Sequence, residues 1–294
     1  MLTRAAVAAQ LLLSLTAASP IATPSSVFAT PHPAPTSGSY NWAEGWTSRY
    51  PIHQSCNVTL RAQLEEALDE TVQLAQHARD HLLRWGSNSE FAVKYFGNHS
   101  TAALGWYDRI VAADKTGMTF RCDDPDRNCA TQDNWAGHWR GDNATEETVI
   151  CPRSFEIRRH LSSVCGLGYT VAESPLNTFW ATDLMHRLLH VPTISQGIVD
   201  HFAEDYAEVL ELAQSGDGNS AIDSDAIQYF AIDVWAYDIA APGVGCSGET
   251  PEAVAEEATT TASAAASTTE TAAAATSTTG QDCHTHADGT VHCV

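Results

Sequence analysis

The chain has 294 residues, 44% hydrophobic and 17% charged, with eight cysteines and a formal net charge of −21. That length can enclose a sizeable apolar core, and so anionic a chain disfavours nucleic acid and anionic lipid while drawing cations to its surface. The charge is uneven: from Leu188 to the C-terminus there is no Lys or Arg, whereas 17 Asp or Glu residues fall there.

Residues 1–20 read as a signal peptide. Arg4 supplies a positive start, Ala5 to Ala18 is an apolar run too short to span a bilayer, and the small residues Ala17, Ala18 and Ser19 follow. No later run is apolar enough to cross a membrane, so a secreted, extracellular protein without membrane insertion is expected. Residues 21–40, rich in Pro, Ser and Thr, read as a disordered leader. Asn57, Asn98 and Asn143 each head an Asn-X-Ser/Thr tripeptide, the acceptor sequence for N-glycosylation in exported proteins. An oxidising compartment favours cysteine pairing. Cys56, Cys122, Cys129, Cys151, Cys165 and Cys246 lie in one region, which leaves about fifteen possible connectivities.

Residues 41–248 carry the aromatics and apolar periodicity of one domain. A first helix is expected over 58–85, with Leu60, Leu64, Leu68, Ala75, Ala78 and Leu82 on one stripe. A second opens with Ser174 as N-cap and Pro175 at the first helical position, and stops before Pro192. A third is expected over 198–214, bounded by Gly197 and Gly216, and a fourth over 224–240, ended by Pro242 and Gly243. Strands are expected at 118–122, 148–151 and 167–171. The sum is a helix-rich α+β domain. Arg140-Gly141-Asp142 forms an RGD tripeptide, a weak adhesion signal. Residues 249–281 are, all but four, Ala, Thr, Ser or Glu. Such a linker buries too little to order itself and, as a coil, lets a tail of residues 282–294 range roughly 30 Å away.

The second helix carries His186-Arg187-Leu188-Leu189-His190. Histidines four apart on a helix project from one face, a spacing that lets both imidazoles reach one metal ion. In zinc peptidases of the H-E-x-x-H type, the Glu activates a metal-bound water. Here that position is Arg187, whose guanidinium stays protonated and cannot accept a proton. His77 and His81 share the spacing, but His77 falls off the leucine stripe of the first helix, so a solvated face is expected there. His186 and His190 flank the stripe of Leu176, Trp180, Leu184 and Leu188, where half-buried ligands belong. On the third helix, Ile198, Phe202, Tyr206 and Val209 define the buried stripe, and His201 flanks it. His201 is therefore the expected third ligand, with Asp205 the runner-up and Asp200 next. Glu204 and Glu208 complete an acidic set that can serve as ligands, as partners orienting the imidazoles, or as a relocated base.

The tail runs Cys283-His284-Thr285-His286-Ala287-Asp288-Gly289-Thr290-Val291-His292-Cys293. A disulfide between Cys283 and Cys293 closes a small loop in which Asp288-Gly289 turns His292 back toward His284 and His286. These imidazoles with Asp288 form a second, exposed zinc site; if reduced, the two thiolates are alternative ligands.

Taken together, His186-Arg187-Leu188-Leu189-His190-Val191-Pro192, Val199-Asp200-His201-Phe202-Ala203, Gln228-Tyr229-Phe230-Ala231, Ala240-Ala241-Pro242-Gly243-Val244-Gly245-Cys246 and the Cys/His tail resemble the fungal zincophore or pH-regulated antigen family. That family includes an Aspergillus allergen and is grouped as peptidase-like under the name HRXXH. The resemblance implies a zincin-like fold of the deuterolysin type, which Val149-Ile150-Cys151-Pro152 also fits. It further implies secretion, zinc scavenging with return to a cell-surface transporter, and binding of host proteins. Three functions therefore compete: an extracellular zinc-binding protein, an active zinc endopeptidase with a non-standard base, and an adhesin or immune-evasion module in which zinc is structural.

Overall fold

The computed structural model describes residues 41, 43–248, 283–285 and 291–293. The expected signal peptide, leader and linker, and His286, lie outside the described residues. The chain divides into two compact units, Met1–Glu44 and Gly45–Val294, and the elements that follow all belong to the second. The helices are α1 Val58–Trp85, α2 Glu90–Phe96, α3 Ser100–Ala112, α4 Asn128–Thr131, α5 Pro152–Ile157, α6 Trp180–His190, α7 Pro192–Ser195, α8 Tyr206–Ser215 and α9 Ser224–Trp235. The strands are β1 Thr119–Arg121, β2 Gly137–Trp139 and β3 Glu147–Ile150, with β4 Cys283–Thr285 and β5 Val291–Cys293 pairing apart. This is the expected helix-rich α+β class.

The first helix forms where its pattern places it. The Asn57 side chain accepts from the backbone N–H groups of Thr59 and Leu60, each at 3.0 Å, and so satisfies two donors that a helix start leaves unpaired. Its apolar stripe, including Leu64, Leu68, Leu74, Ala78 and Leu82, is buried against α3, α6 and α9. α6 and α9 differ from it in being enclosed on every side: among their residues only His190 and Trp235 are not buried. An enclosed helix carries its polar groups into the core, where each needs a partner, and the functional chemistry follows from that requirement.

Two helices depart from the sequence reading. The segment after Pro175 makes only a 3₁₀ turn, Leu176–Thr178, before Phe179 turns extended (φ −101°, ψ 148°) and bridges to Arg159. α6 then starts at Trp180. The third helix begins at Tyr206, not near residue 198, because the Asp205 carboxylate caps it by accepting from Glu208 N at 2.9 Å. Residues 198–205 are loop, and Ile198 and Phe202 are 48% and 45% exposed instead of lining a buried stripe.

The sheet is three-stranded in the order β1-β3-β2, with β1 parallel and β2 antiparallel to β3. Its β1 and β3 match two of the expected strands. The third expectation, at 167–171, fails because Leu167 and Gly168 take positive φ (53° and 80°) and turn the chain. β2 lies at one edge and contacts α6. Three disulfides resolve the pairing of the domain's cysteines: Cys56–Cys122, Cys129–Cys151 and Cys165–Cys246. Among the described residues no helix is long and apolar enough to cross a membrane.

His77 and His81 do not form a solvated face. His81 is buried at 8% exposure; its Nδ1 lies 2.9 Å from Asp238 Oδ2 and its Nε2 lies 2.7 Å from Ser89 Oγ. His77 Nε2 lies 3.0 Å from the same Asp238 oxygen. Asp238 stands in the π-turn Ala236–Ala240 that follows α9, so this histidine pair ties α1 to the end of α9. The RGD tripeptide is similarly committed, since Arg140 is clamped by Asp126 at 2.7 and 3.0 Å and by Glu147 at 2.6 Å.

Candidate metal centre

His186 and His190 stand one turn apart at the C-terminal end of α6, and their Nε2 atoms are 3.2 Å apart. His201 comes from the loop before α8, with its Nε2 3.5 Å from that of His190. One nitrogen from each of these histidines lies within 4.8 Å of the other two. The side chains of His186 and His201 are 3% and 7% exposed, so the nitrogens converge at the floor of the site. The His190 ring is half-buried and stacks on Trp139 of β2, with centroids 6.0 Å apart and planes 9° from parallel.

His201 reaches this point without a helix beneath it. Asp200 bridges to Asp223 through Asp200 N to Ile222 O at 3.0 Å and Ser224 N to Asp200 O at 2.9 Å. The Asp223 carboxylate then accepts from Phe202 N at 2.8 Å, Ala203 N at 3.1 Å and Ala226 N at 2.7 Å. One buried side chain therefore caps α9 and pins the loop on which His201 rides. The helical-wheel reasoning for His201 fails, because residue 201 lies outside α8, yet the residue it selected is the one that joins the pair.

The acidic residues divide into two groups. Asp200 is exposed and its carboxylate accepts from His201 N at 2.9 Å. Asp205 and Glu208 are exposed at the start of α8, where Asp205 caps the helix and Glu208 accepts from Glu204 N at 2.9 Å. Among the described residues, the cluster whose ligand atoms converge consists of His186, His190 and His201, without Asp200, Asp205 or Glu208. The carboxylate that faces the site is Asp225, on the first turn of α9. Its Oδ1 lies 3.9 Å from His186 Nδ1 and 3.7 Å from His201 Nδ1, and its Oδ2 accepts no hydrogen bond among the described residues. Burial, reinforced by Asp223, Glu204, Asp205 and Glu208, holds its carboxyl well above the usual range. Burial likewise pushes Asp223 up to about 6, against the backbone donors that favour its charged form. The Gln228 amide lies 3.0 Å from His186 Nδ1 and the Ser224 hydroxyl 3.4 Å. Of these groups, the Asp225 carboxyl and the Ser224 hydroxyl can accept from the Nδ1–H of a histidine that ligates through Nε2, which is how the partners of a ligating histidine fix its tautomer.

Arg187 points elsewhere. Its guanidinium makes a two-pronged contact with Asp183 one turn earlier, Nε to Oδ2 at 3.1 Å and Nη2 to Oδ1 at 2.8 Å. Arg158 Nη2 reaches the same Asp183 Oδ1 at 3.0 Å. Burial alone would raise the Asp183 carboxyl, but Arg158 and Arg187 hold it below its ordinary value. The guanidinium lies against the backbone of β2: a Cβ on Gly137 would stand 2.8 Å from Arg187 Nη1 and 2.4 Å from Val149 O. Glycine at 137 is therefore a packing requirement. The arginine of the motif joins α6 to the sheet and contributes no base to the histidine cluster.

Sequence reasoning missed Asp225, Asp223, Asp183 and Trp139. Asp183 was accessible as the residue four before Arg187 on one helix face, and Asp223 as an Asp heading a helix. Asp225 and Trp139 are joined to the cluster only by tertiary packing. The other cluster of this kind, Cys129, His138 and Cys151, has both sulfurs in a disulfide and is not a metal site. In the tail, β4 and β5 pair antiparallel with Cys283 opposite Cys293 and His284 opposite His292.

An α6 helix bearing H-R-x-x-H, folded against a short sheet and joined by a loop histidine, defines a class. A family model described as "HRXXH: Putative peptidase family" matches residues 5–249, and the chain belongs to that family. Major allergen Asp f 2 of Aspergillus fumigatus is 58% identical over 212 residues, 72% of this chain and 68% of that protein. The pH-regulated antigen PRA1 of Candida albicans is 47% identical over 212 residues, 71% of each chain. Among solved structures, a zinc peptidase from Grifola frondosa aligns with 60% of this chain and 97% of its own, at 14% identity and a TM-score of 0.44.

Proposed function

We propose that this protein is a secreted zinc-binding protein whose His186, His190 and His201 hold one Zn²⁺. The observation that carries the reading is the nitrogen spacing. Four nitrogens around zinc at about 2.05 Å, tetrahedrally disposed, stand about 3.3 Å from one another. The measured separations of 3.2 and 3.5 Å bracket that value. The donor chemistry fits too, since neutral imidazole is a common zinc ligand and the carboxylate of Asp225 stands behind two of the rings.

Bound zinc would supply a Lewis-acidic centre with a fourth position open to a further ligand. The chain's own residues do the rest. His186 and His190 bind from one helix face, His201 binds from the loop pinned by Asp223, and Asp225 orients the rings. Arg187 cannot take a proton and is held by Asp183, and the Glu208 carboxylate accepts from Glu204 N at the approach to α8. The arrangement therefore supports binding over peptide hydrolysis. Protons compete with metal for imidazole, so zinc is held near neutrality and released on acidification. The histidines of the tail, His284, His286 and His292, add imidazoles to the same capacity. Three disulfides and exposed Asn57, Asn98 and Asn143 support passage through an oxidising, glycosylating compartment. In the reading carried by the family resemblance, the captured zinc returns to a cell-surface transporter and the protein also meets host proteins.

Calorimetric zinc titration of the full chain tests this. Loss of one binding equivalent in His186→Ala/His190→Ala is expected. Unchanged stoichiometry and affinity in that variant would overturn the assignment, and chelator-sensitive casein cleavage abolished by His190→Ala would establish the peptidase instead.

A further inference from the structure

We infer that Gln228 is a positioning residue that holds metal-free His186 in the tautomer whose Nε2 cannot ligate, so that His186 joins the zinc site only when its proton changes nitrogens. The inference rests on the proposed zinc site and names a residue that tunes it toward release.

The Gln228 amide is fully buried on α9, and its neighbours decide which way it faces. Its Nε2 lies 3.0 Å from Ser224 O, 3.1 Å from Ser224 Oγ and 3.4 Å from Asp225 Oδ1. A carbonyl oxygen can only accept, so the group beside Ser224 O is the donating NH₂ of the amide. Turning the amide over would set Oε1 against Ser224 O at that same 3.0 Å, oxygen facing oxygen. The Oε1 meets no donor among the described residues, a cost that buried acceptors ordinarily avoid. The three oxygens gathered around Nε2 outweigh it.

The same Nε2 lies 3.0 Å from His186 Nδ1. The second N–H of the amide is the donor available there, so Nδ1 accepts and a neutral His186 carries its proton on Nε2. The rest of the cluster agrees. His186 Nε2 and His190 Nε2 stand 3.2 Å apart, a hydrogen bond that needs one donor, and His186 supplies it. A nitrogen that ligates metal must be free of its proton. Ligation through Nε2 therefore puts the His186 proton on Nδ1, where it faces the Gln228 N–H, donor against donor. The acceptors that relieve this stand farther off, Ser224 Oγ at 3.4 Å and Asp225 Oδ1 at 3.9 Å. Binding thus works against the Gln228 hydrogen bond, and the centre holds its ion less tightly than three imidazoles backed by an apolar wall. Such weakening suits a protein that gives its ion up again.

The test uses the full-length protein with ¹⁵N-labelled histidines. Long-range proton–nitrogen correlation spectra of the metal-free wild type should place the His186 proton on Nε2, and after addition of Zn²⁺ the proton should be found on Nδ1. Gln228→Met keeps the length of the side chain and removes the donor. In calorimetry it should bind zinc with unchanged stoichiometry and at least roughly fivefold more tightly, the lower end of what an opposed buried donor costs. A metal-free wild type with the proton on His186 Nδ1, or a Gln228→Met chain that binds no more tightly than wild type, would overturn the inference. The wild-type spectrum decides the tautomer even if the variant does not fold. Zinc that leaves the His186, His190 and His201 signals in place overturns the zinc site itself, and the metal-free spectrum still reads the part played by Gln228.

Discussion

Replacing Arg187 by alanine separates a structural role for the arginine from a chemical one. The substitution leaves Asp183, 1% exposed, with Arg158 as its remaining cationic partner, and opens a void against Gly137. Removing one member of a buried ion pair costs about 3–5 kcal/mol, and the retained Arg158 contact places this case near the lower end, about 3 kcal/mol. For a domain of this size each kcal/mol lowers Tm by about 2–4 °C, so a fall of roughly 6–12 °C is expected. Thermal unfolding should be followed by near-ultraviolet circular dichroism in chelator, so that bound metal does not mask the change. The pH dependence adds a signature. Asp183 has a folded pKa below its ordinary 3.8, so its contribution is complete above that value and is lost as pH falls through the depressed one. The gap between variant and wild type should therefore shrink in strong acid. Arg187→Glu, which writes H-E-x-x-H into the chain, sets a second carboxylate against Asp183; it should be less stable than Arg187→Ala and gain no chelator-sensitive cleavage. A Tm for Arg187→Ala within 2 °C of wild type, or a stable and proteolytic Arg187→Glu, would refute the reasoning.

Three further outcomes are expected. Asp225→Asn should keep its fold but lose about 10–100-fold in zinc affinity, the usual cost of removing a partner that orients a ligating histidine; an affinity within twofold of wild type in calorimetry would remove Asp225 from the site. Asp223 titrates near 6 in the fold against an ordinary 3.8, so the folded state binds its proton more tightly and stability contributed by that proton is lost as pH rises between those values. Urea unfolding of metal-free Asp223→Asn from pH 4 to 6.5 should show a decline flatter by on the order of 3 kcal/mol than wild type, and parallel curves would contradict it. Zinc affinity should fall steeply as pH drops through the imidazole range; calorimetry in two buffers of different ionisation enthalpy should detect proton release, and a pH-independent affinity would exclude imidazole ligands.

Several of these residues were legible in the sequence and several were not, for physical reasons. The limits of α1 followed from an Asn cap and a regular apolar stripe, local signals that tertiary packing did not override. His186 and His190 were legible because a helical repeat converts sequence spacing directly into a shared face. His201 was named on a helix that does not form there: the Asp200–Asp223 bridge and the Asp205 cap hold residues 198–205 as loop, and neither long-range bond has a local signature. His77 and His81 were misassigned because helical angle was read without the turn that follows α9, whose Asp238 lies 161 positions from His77. Arg187 was seen to be unable to act as a base, but its actual role depends on Arg158 and on the bare backbone at Gly137, and both are supplied by packing.

The central claim is that His186, His190 and His201 converge on one zinc ion. Diffraction from zinc-soaked crystals of the full-length protein, recorded on both sides of the zinc absorption edge, addresses it most directly. An anomalous peak about 2.0–2.1 Å from all three Nε2 atoms is the predicted result. Full zinc occupancy elsewhere, with the three rings hydrogen-bonded to one another and no peak between them, would contradict it.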